Sequence, residues 1–302
     1  MKDYTLKYGK GSVTFALDEA HVTELYGTPV PKIDDIRAAL YATLSSPVSH
    51  EPLESWVNPG DKVALIVSDM SRFWMRQDLV VPHIISYLTD KCDVNQNNIT
   101  IIIANGTHPG GDENELRTLV TDGVYDRIRV VNHDCQAKDL VYIGTTSLGT
   151  EVRINPIAAN ADKVIMLGAC TYHVMAGYGG ILPGISGLET IRQNHLHSLD
   201  LLAPRSNPLI GNGVTDGNPL NEDMCQAAAM VKNLFGINLV TNADMQLAHI
   251  ISGDPMKSWQ LACHRVDEIY RVPIVKKADV IITSCGGYPK DMSLYQGTKI
   301  ID

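Results

Sequence analysis

Six short runs of apolar residues punctuate the chain: VALIVSD (63–69), ITIIIANGTH (99–108), RIRVVNHD (127–134), KVIMLGAC (163–170), GINLVTN (236–242) and ADVIITSCGG (278–287). A continuous apolar run of this length marks a strand covered on both faces, whereas a half-exposed strand would alternate. Between the runs lie segments with helical spacing, VVPHIISYLTDK (80–91), DENELRTLV (112–120) and NEDMCQAAAMVKNLFG (221–236). Strands alternating with helices predict right-handed βαβ units, and so an α/β fold with a mainly parallel, Rossmann-like sheet and flanking helices. A helix followed by a restarted strand over residues 254–275 places a domain junction there. Residues 1–268 then form an N-terminal α/β domain, and residues 269–302 read as the beginning of a second α/β domain, too short to bury a core alone.

In parallel sheets of this kind ligands bind beyond the carboxyl ends of the strands. Five of the runs exit into polar, chemically competent segments: Asp69 to Arg72, Asn105 to His108, His133 to Cys135, Cys170 to His173, and Cys285 to Lys299. That bias favours one shared pocket. Arg72 has the planar fork that clamps a carboxylate, and Asp69 either holds a ribose or orients that arginine; a surface ion pair is the plainer alternative. In NGTHPGGDENEL, His108 stands beside the free amides of a helix start, a setting for an anion and for general acid/base work by the imidazole. His133 in VVNHDC is a further candidate, although an isolated loop histidine beside an aspartate is more often structural.

The stretch CTYHVMAGYGGILPGISGLETIRQNHLH (170–197) combines three histidines with a cluster of glycines. Imidazoles bind metals and exchange protons near neutral pH, and glycine lets backbone approach a ligand closely. His195 and His197 are two apart and do not share a helix face, so at most one of them is a ligand to a given metal. At the end of the sequence, GGYPKDMSLYQGTK places Tyr295 and Lys299 on one face of a helix, with Gln296 beside them. These residues suit an anionic substrate or a solvated helix surface.

Composition narrows the function. The 302 residues are 44% hydrophobic and 20% charged, as in an ordinary globular protein, and the formal charge of −9 with no basic run argues against nucleic acid. Six cysteines without CxxC spacing read as reduced thiols of a cytoplasmic protein. The N-terminus lacks the apolar block of a signal peptide, and no segment reaches the roughly 18 apolar residues of a membrane span. A small molecule is the expected partner.

Taken in order, SDMSR, NGTHPG, GTTSLGTEVRIN (144–155), HVMAGYGGILPGISGLETIRQNH, DGNPLNED (216–223), ISGDP (251–255) and GGYPKDMSLYQGTK resemble the nickel-dependent lactate racemase family. These are 2-hydroxyacid racemases and epimerases that use a nickel-pincer nucleotide. The resemblance implies that two histidines on opposite sides of the substrate exchange its hydroxyl proton, while the pincer ring accepts and returns a hydride at C2. By position, His108 and His173 would be that pair and His195 the side-chain ligand to nickel. Arg72, Tyr295, Gln296 and Lys299 would bind the substrate carboxylate or lie beside it, and Asp69, Gly106, Thr107, Gly177, Gly179 and Gly180 would border the cofactor. Cofactor-maturation proteins and a homo-oligomer are further expectations.

Two departures accompany the resemblance. The family pattern carries a lysine in the glycine-rich loop that is covalently attached to the cofactor, but AGYGGILPG is shorter by four residues and has no lysine between Ala176 and Pro183. Either a paralogue has lost its anchor or four residues of the loop are missing from the sequence as given, and the unbroken flanks favour the second. Family members also continue beyond the length of this chain, which is therefore expected to be incomplete. Two other readings compete: a paralogue that binds a nucleotide or hydroxy acid without covalent attachment, and a zinc-dependent hydrolase. The hydrolase needs three protein ligands, and no local spacing supplies them.

Overall fold

A computed structural model describes residues 1–180, 184–288, 291 and 294. The chain forms two compact units, one spanning Pro29–Ile269 and the other combining Met1–Thr28 with Tyr270–Asp302.

The larger unit is built on a six-stranded sheet: β1 (Val63–Ser68), β2 (Ile99–Ala104), β3 (Arg129–Asn132), β4 (Lys163–Ala169), β5 (Leu234–Thr241) and β6 (Leu247–Gly253). Its spatial order is β6-β5-β4-β1-β2-β3, with only the β5/β6 pair antiparallel. Inside the sheet the apolar runs are covered on both faces: every residue of β5 and all of β1 except Ser68 are buried, whereas β3 at the edge has no buried residue. The chain moves outward from β1 to β2 and β3, then crosses to the other side of β1 to lay down β4. In open α/β sheets such a reversal marks the place, outside the carboxyl ends of the strands, where ligands bind. Register sharpens it. Ser68 pairs with Ala104, and Ile66 pairs with Met166, so β1, β2 and β4 leave the sheet level with one another.

Six longer helices accompany the sheet: α1 (Ile36–Ser45), α2 (Val81–Asp90), α3 (Glu113–Val120), α4 (Leu188–Leu196), α5 (Pro219–Ala229) and α6 (Pro255–Tyr270). Pro82 opens α2, where a missing amide hydrogen costs nothing, and Val81, Ile84, Ile85 and Leu88 form its buried stripe. Tyr87 joins the same core, at 2% exposure.

Two expectations are corrected. The helix expected over 221–236 stops at Ala229, because Asn233 adopts a left-handed turn and Leu234 joins β5 opposite Val164. The strand expected over 278–287 does not form: this segment has no ladder partner among the described residues, and Val280 and Ile281 are 74% and 80% exposed. An apolar run becomes a strand only where a neighbouring edge accepts its hydrogen bonds. In the smaller unit, strands Lys2–Tyr8 and Gly11–Leu17 form an antiparallel hairpin in which Lys2 faces Leu17. Tyr288 donates its amide to the Gly9 carbonyl at 2.8 Å.

No helix among the described residues is long and apolar enough to cross a membrane. All six cysteines are free, with Cys170 and Cys263 Sγ atoms 3.7 Å apart in the interior.

The contrast between the two apolar runs is measurable. Ile101→Ala in β2, fully buried, is expected to lower unfolding free energy by about 2–5 kcal/mol, whereas Val280→Ala is expected to change it by less than about 0.5 kcal/mol. Urea midpoints at constant m-value read both. Equal losses would contradict the exposure of residues 280–282.

Candidate active site at the carboxyl edge of the sheet

The end of β1 is fixed by a buried amide. Gln77 accepts the Ser68 amide hydrogen at 3.1 Å and donates to the Ser68 carbonyl at 2.8 Å, acting as a neighbouring strand would. The chain then turns through a 3-10 segment, Met70–Met75, which brings three functional groups together. Ser71 Oγ donates to Asp69 Oδ1 at 2.5 Å, and Arg72 Nη1 donates to Ser71 Oγ at 3.1 Å. From the end of β2, His108 Nδ1 meets Asp69 Oδ2 at 2.5 Å. The Asp69 side chain is 13% exposed and that of His108 52%, so the pair is anchored on the carboxylate side and open on the imidazole side. Burial alone would raise the Asp69 pKa. The hydrogen bonds from His108 and Ser71, with the charges of His108 and Arg72, outweigh it and hold the carboxyl below its usual range.

At the end of β2, buried Asn105 donates to Asn132 Oδ1 at 3.0 Å and to the His133 carbonyl at 3.1 Å. Gly106 follows with φ +56, a left-handed turn that lets His108 donate its amide to the Asn105 carbonyl. The Gly106 amide donates to the Gly184 carbonyl at 2.9 Å, joining this turn to the far side of the glycine-rich loop. A Cβ on Gly184 would sit 2.6 Å from the Ala104 Cβ, so the close approach needs glycine. Thr107 is exposed at the tip. The helix start after His108 differs from expectation. Asp112 caps α3 by accepting the Glu115 amide, Gly111 donates to Asn132, and Glu113 and Glu115 fill the first turn. An anion there would meet the Asp112 carboxylate, which already holds the Glu115 amide, and the like charge of Glu113 and Glu115.

Beyond β4 the chain makes a small hairpin in which Tyr172 pairs with Tyr178 and His173 with Gly177. It is held from two sides. From α6, Asp267 accepts hydrogen bonds from both tyrosine hydroxyls, at 2.7 and 2.6 Å, and Trp259 Nε1 donates to the Gly179 carbonyl at 2.8 Å. From α5, Asn218 donates to the Met175 carbonyl and Asn221 to the Ala176 carbonyl, both at 2.8 Å. Within the turn, His173 Nδ1 accepts the amides of Met175 and Ala176 at 3.3 and 3.1 Å. Gly177, at φ +77, packs against the Val214 carbonyl with no room for a Cβ. Burial, followed by the Asp267 hydrogen bond, raises the Tyr178 pKa far above its usual value, so its hydroxyl stays a donor.

The remaining histidines separate by environment. His133 is 2% exposed, donates from Nε2 to the Ser186 carbonyl at 2.9 Å and accepts from Asn155 at Nδ1. It is a structural brace. His195 lies on α4 and donates from Nδ1 to the Ile191 carbonyl at 2.9 Å, which leaves the lone pair of the neutral ring on Nε2, the form a metal ligand requires. It lines a surface cleft of about 310 Å³ with Glu189, Arg192 and Ser198. No group of three His, Cys, Asp or Glu side chains among the described residues is placed to hold a metal ion without help from another ligand. Asp69 and His108 are therefore in direct contact, with Arg72 joined to Asp69 through Ser71, His173 and His195 are oriented by their own backbone, and Tyr295, Gln296 and Lys299 lie outside the described residues.

Sequence reasoning gave no role to Gln77, Asn218, Asn221, Trp259 or Asp267. Asn218 precedes Pro219 and is legible as a helix cap. Its second task, along with those of the others, depends on tertiary neighbours that no local pattern announces.

A family model described as the lactate racemase N-terminal domain matches residues 8–205. The chain is 28% identical over 99% of its length, and 70% of the relative's, to a lactate racemase of Thermoanaerobacterium thermosaccharolyticum. It is 27% identical over 97% of its length, and 69% of the relative's, to a lactate racemase of Lactiplantibacillus plantarum. Among solved structures it superposes on the lactate racemase apoprotein from T. thermosaccharolyticum with a TM-score of 0.87 at 26% identity, covering 99% of this chain and 70% of that one. A Thermotoga maritima protein, at TM-score 0.59 and 18% identity over 82% of this chain and 61% of that one, shares the fold.

The brace at His133 carries a pH signature. Burial lowers its pKa below 6.5, with the Ser186 contact offsetting only part of that. Above this value the ring is neutral in both folded and unfolded chains. As the pH falls through it, the unfolded chain takes up a proton that folded His133 resists, so stability declines by up to about 1.4 kcal/mol per pH unit. Urea unfolding at about pH 7.5 and pH 5 is expected to show a smaller pH-dependent loss in His133→Gln than in the parent. Equal losses would overturn the assignment.

Proposed function

The chain belongs to the lactate racemase family, matched through its N-terminal domain, and on that premise we propose that this isomerase interconverts the two hands of lactate or a related small 2-hydroxy acid. The observation that carries the reading is the contact of His108 with Asp69, with Arg72 one hydrogen bond away through Ser71. A base, its orienting carboxylate and a fork able to bind a carboxylate are joined in one hydrogen-bonded chain.

In this reading Arg72 pairs with the substrate carboxylate; Tyr295, Gln296 and Lys299, to which the family resemblance gives the same task, lie outside the described residues. Asp69 keeps the His108 ring turned so that Nε2 faces the substrate, where it takes the hydroxyl proton. His173, on the hairpin after β4, meets the substrate oxygen from the other side. The β1, β2 and β4 exits are adjacent and level, which supports a single site flanked by both histidines. His195 would ligate the nickel through Nε2. Asp69, Gly106, Thr107, Gly177, Gly179 and Gly180 would border the nucleotide, with open space at Gly106. The nickel-pincer nucleotide, when bound, supplies the acceptor that takes and returns the hydrogen at C2. Neither histidine alone can exchange the hydroxyl proton on both sides of a substrate whose carboxylate is clamped.

The covalent link implied by the family pattern has no partner in this loop: no lysine occurs between Lys163 and Lys232. If the loop reads Gly180-Ile181 as it stands, the chain would hold the cofactor through the nickel ligand and noncovalent contacts; if four residues belong between them, a lysine there would be the anchor. The zinc hydrolase reading gains nothing from the site, since a catalytic zinc normally takes three protein ligands.

His108→Ala and His173→Ala are each expected to slow racemisation by the cofactor-loaded protein about 10²–10⁴-fold, followed by chiral chromatography from either pure enantiomer. Near-normal turnover in either variant would remove that histidine from the mechanism, and absence of racemisation of any short 2-hydroxy acid by the loaded parent would overturn the reading itself. A chain whose loop truly reads Gly180-Ile181 is expected, when denatured after nickel-cofactor loading, to keep its unmodified mass, with the nickel in the filtrate. An adduct on the peptide spanning Val164 to Arg192 would show that another side chain serves as anchor.

A further inference from the structure

We infer that His108 and His173 are held in opposite neutral tautomers, so that the two sides of the substrate meet chemically different nitrogens. The inference rests on the reading of these two histidines as the proton-exchanging pair. Which ring nitrogen carries the proton of a neutral imidazole is set by the hydrogen bond that the other nitrogen makes. His108 Nδ1 faces Asp69 Oδ2 at 2.5 Å, and a carboxylate only accepts, so the proton sits on Nδ1 and the lone pair on Nε2. His173 Nδ1 faces two backbone amides, those of Met175 and Ala176, at 3.3 and 3.1 Å. Amides only donate. The lone pair is then on Nδ1 and the proton on Nε2.

The surroundings hold each arrangement in place. Asp69 is kept ionised by Ser71, Arg72 and His108. The two amides that face His173 belong to peptides whose own residues are tied by their carbonyls: Asn218 grips Met175 and Asn221 grips Ala176. Gly177 closes the same turn in a left-handed conformation against Val214. Asn218 and Asn221 are both buried, at 0% and 4% exposure. They act as positioning residues for a ring they do not touch.

The consequence is an inequality between the two hands of substrate. The hand whose hydroxyl meets His108 faces the ring nitrogen that carries the lone pair, because Nδ1 donates to Asp69. The hand whose hydroxyl meets His173 finds an N–H, and that ring must let go of the Met175 and Ala176 amides before it can accept a proton. Mirror-image acids have equal free energies, so kcat/KM is the same in both directions. The inequality therefore falls on kcat and KM separately, in matching proportion.

The test is direct and needs no cofactor. Long-range proton–nitrogen spectra of the chain with ¹⁵N-labelled histidine, recorded at about pH 9 where imidazoles are neutral and assigned with His108→Gln and His173→Gln, distinguish the two tautomers. His108 is expected to carry its proton on Nδ1, and His173 on Nε2. A hydrogen bond to a charged acceptor biases such an equilibrium about tenfold or more, so Asp69→Ala is expected to erase the His108 preference and leave His173 unchanged. Asn221→Ala is expected to loosen the preference of His173 alone. A neutral His108 protonated on Nε2, or a His173 protonated on Nδ1, overturns the inference in the parent spectrum, whatever the variants do. Expected tautomers in a protein that racemises no hydroxy acid would uphold the inference about the rings and defeat only the function proposed for them.

Discussion

The structure depends on the parallel register of three strands. Val63, Ile99 and Lys163 lie side by side at the start of β1, β2 and β4, and everything at the other end follows from that alignment. Parallel ladders with both faces covered admit no slippage, because a one-residue shift would turn buried side chains to the opposite layer. Strands that start together and run equal lengths finish together. The exits carrying Asp69, His108 and His173 are consequently neighbours at one edge, although about 100 residues separate the first from the last. The reversal of strand order beside β1 then marks where ligands bind in sheets of this kind.

The second layer of organisation consists of side-chain amides used in place of backbone. Gln77 closes the end of β1, Asn105 and Asn132 brace the turn after β2, and Asn218 and Asn221 grip the hairpin after β4. Each satisfies backbone groups that leave a sheet with no further strand to pair with. A loop tied in this way presents its functional groups in fixed directions. The tyrosine pair on Asp267 and the Trp259 contact at Gly179 extend the same principle to α6.

Much of this was legible in the sequence, and the limits have physical causes. Five of the six apolar runs form strands of the central sheet because composition alone tells a doubly covered strand from an amphipathic one. The sixth, ADVIITSCGG, has the same composition and no ladder, since pairing requires an edge that the run cannot specify for itself. The joining of Asp69 with His108 followed from their positions after neighbouring strands, yet it was the structure that made His108, rather than Arg72, the direct partner of Asp69. His133 looked much like His108 as a histidine in a loop after a strand. Only the Asn155 and Ser186 contacts, from segments 22 and 53 residues away, mark it as structural. The anion site expected at the start of α3 failed for a local reason. Asp112, visible in the sequence as a helix cap, occupies that position itself.

The double attachment of the hairpin after β4 has a kinetic meaning. A loop that orders only around its ligand exacts that ordering at every encounter, which lowers affinity and slows association. Here Tyr172, Tyr178, Met175, Ala176 and Gly179 are already fastened to α5 and α6. The entropy of fixing them is lost once, during folding. A ligand reaching this hairpin would thus meet it already ordered, with no rearrangement of these contacts to wait for.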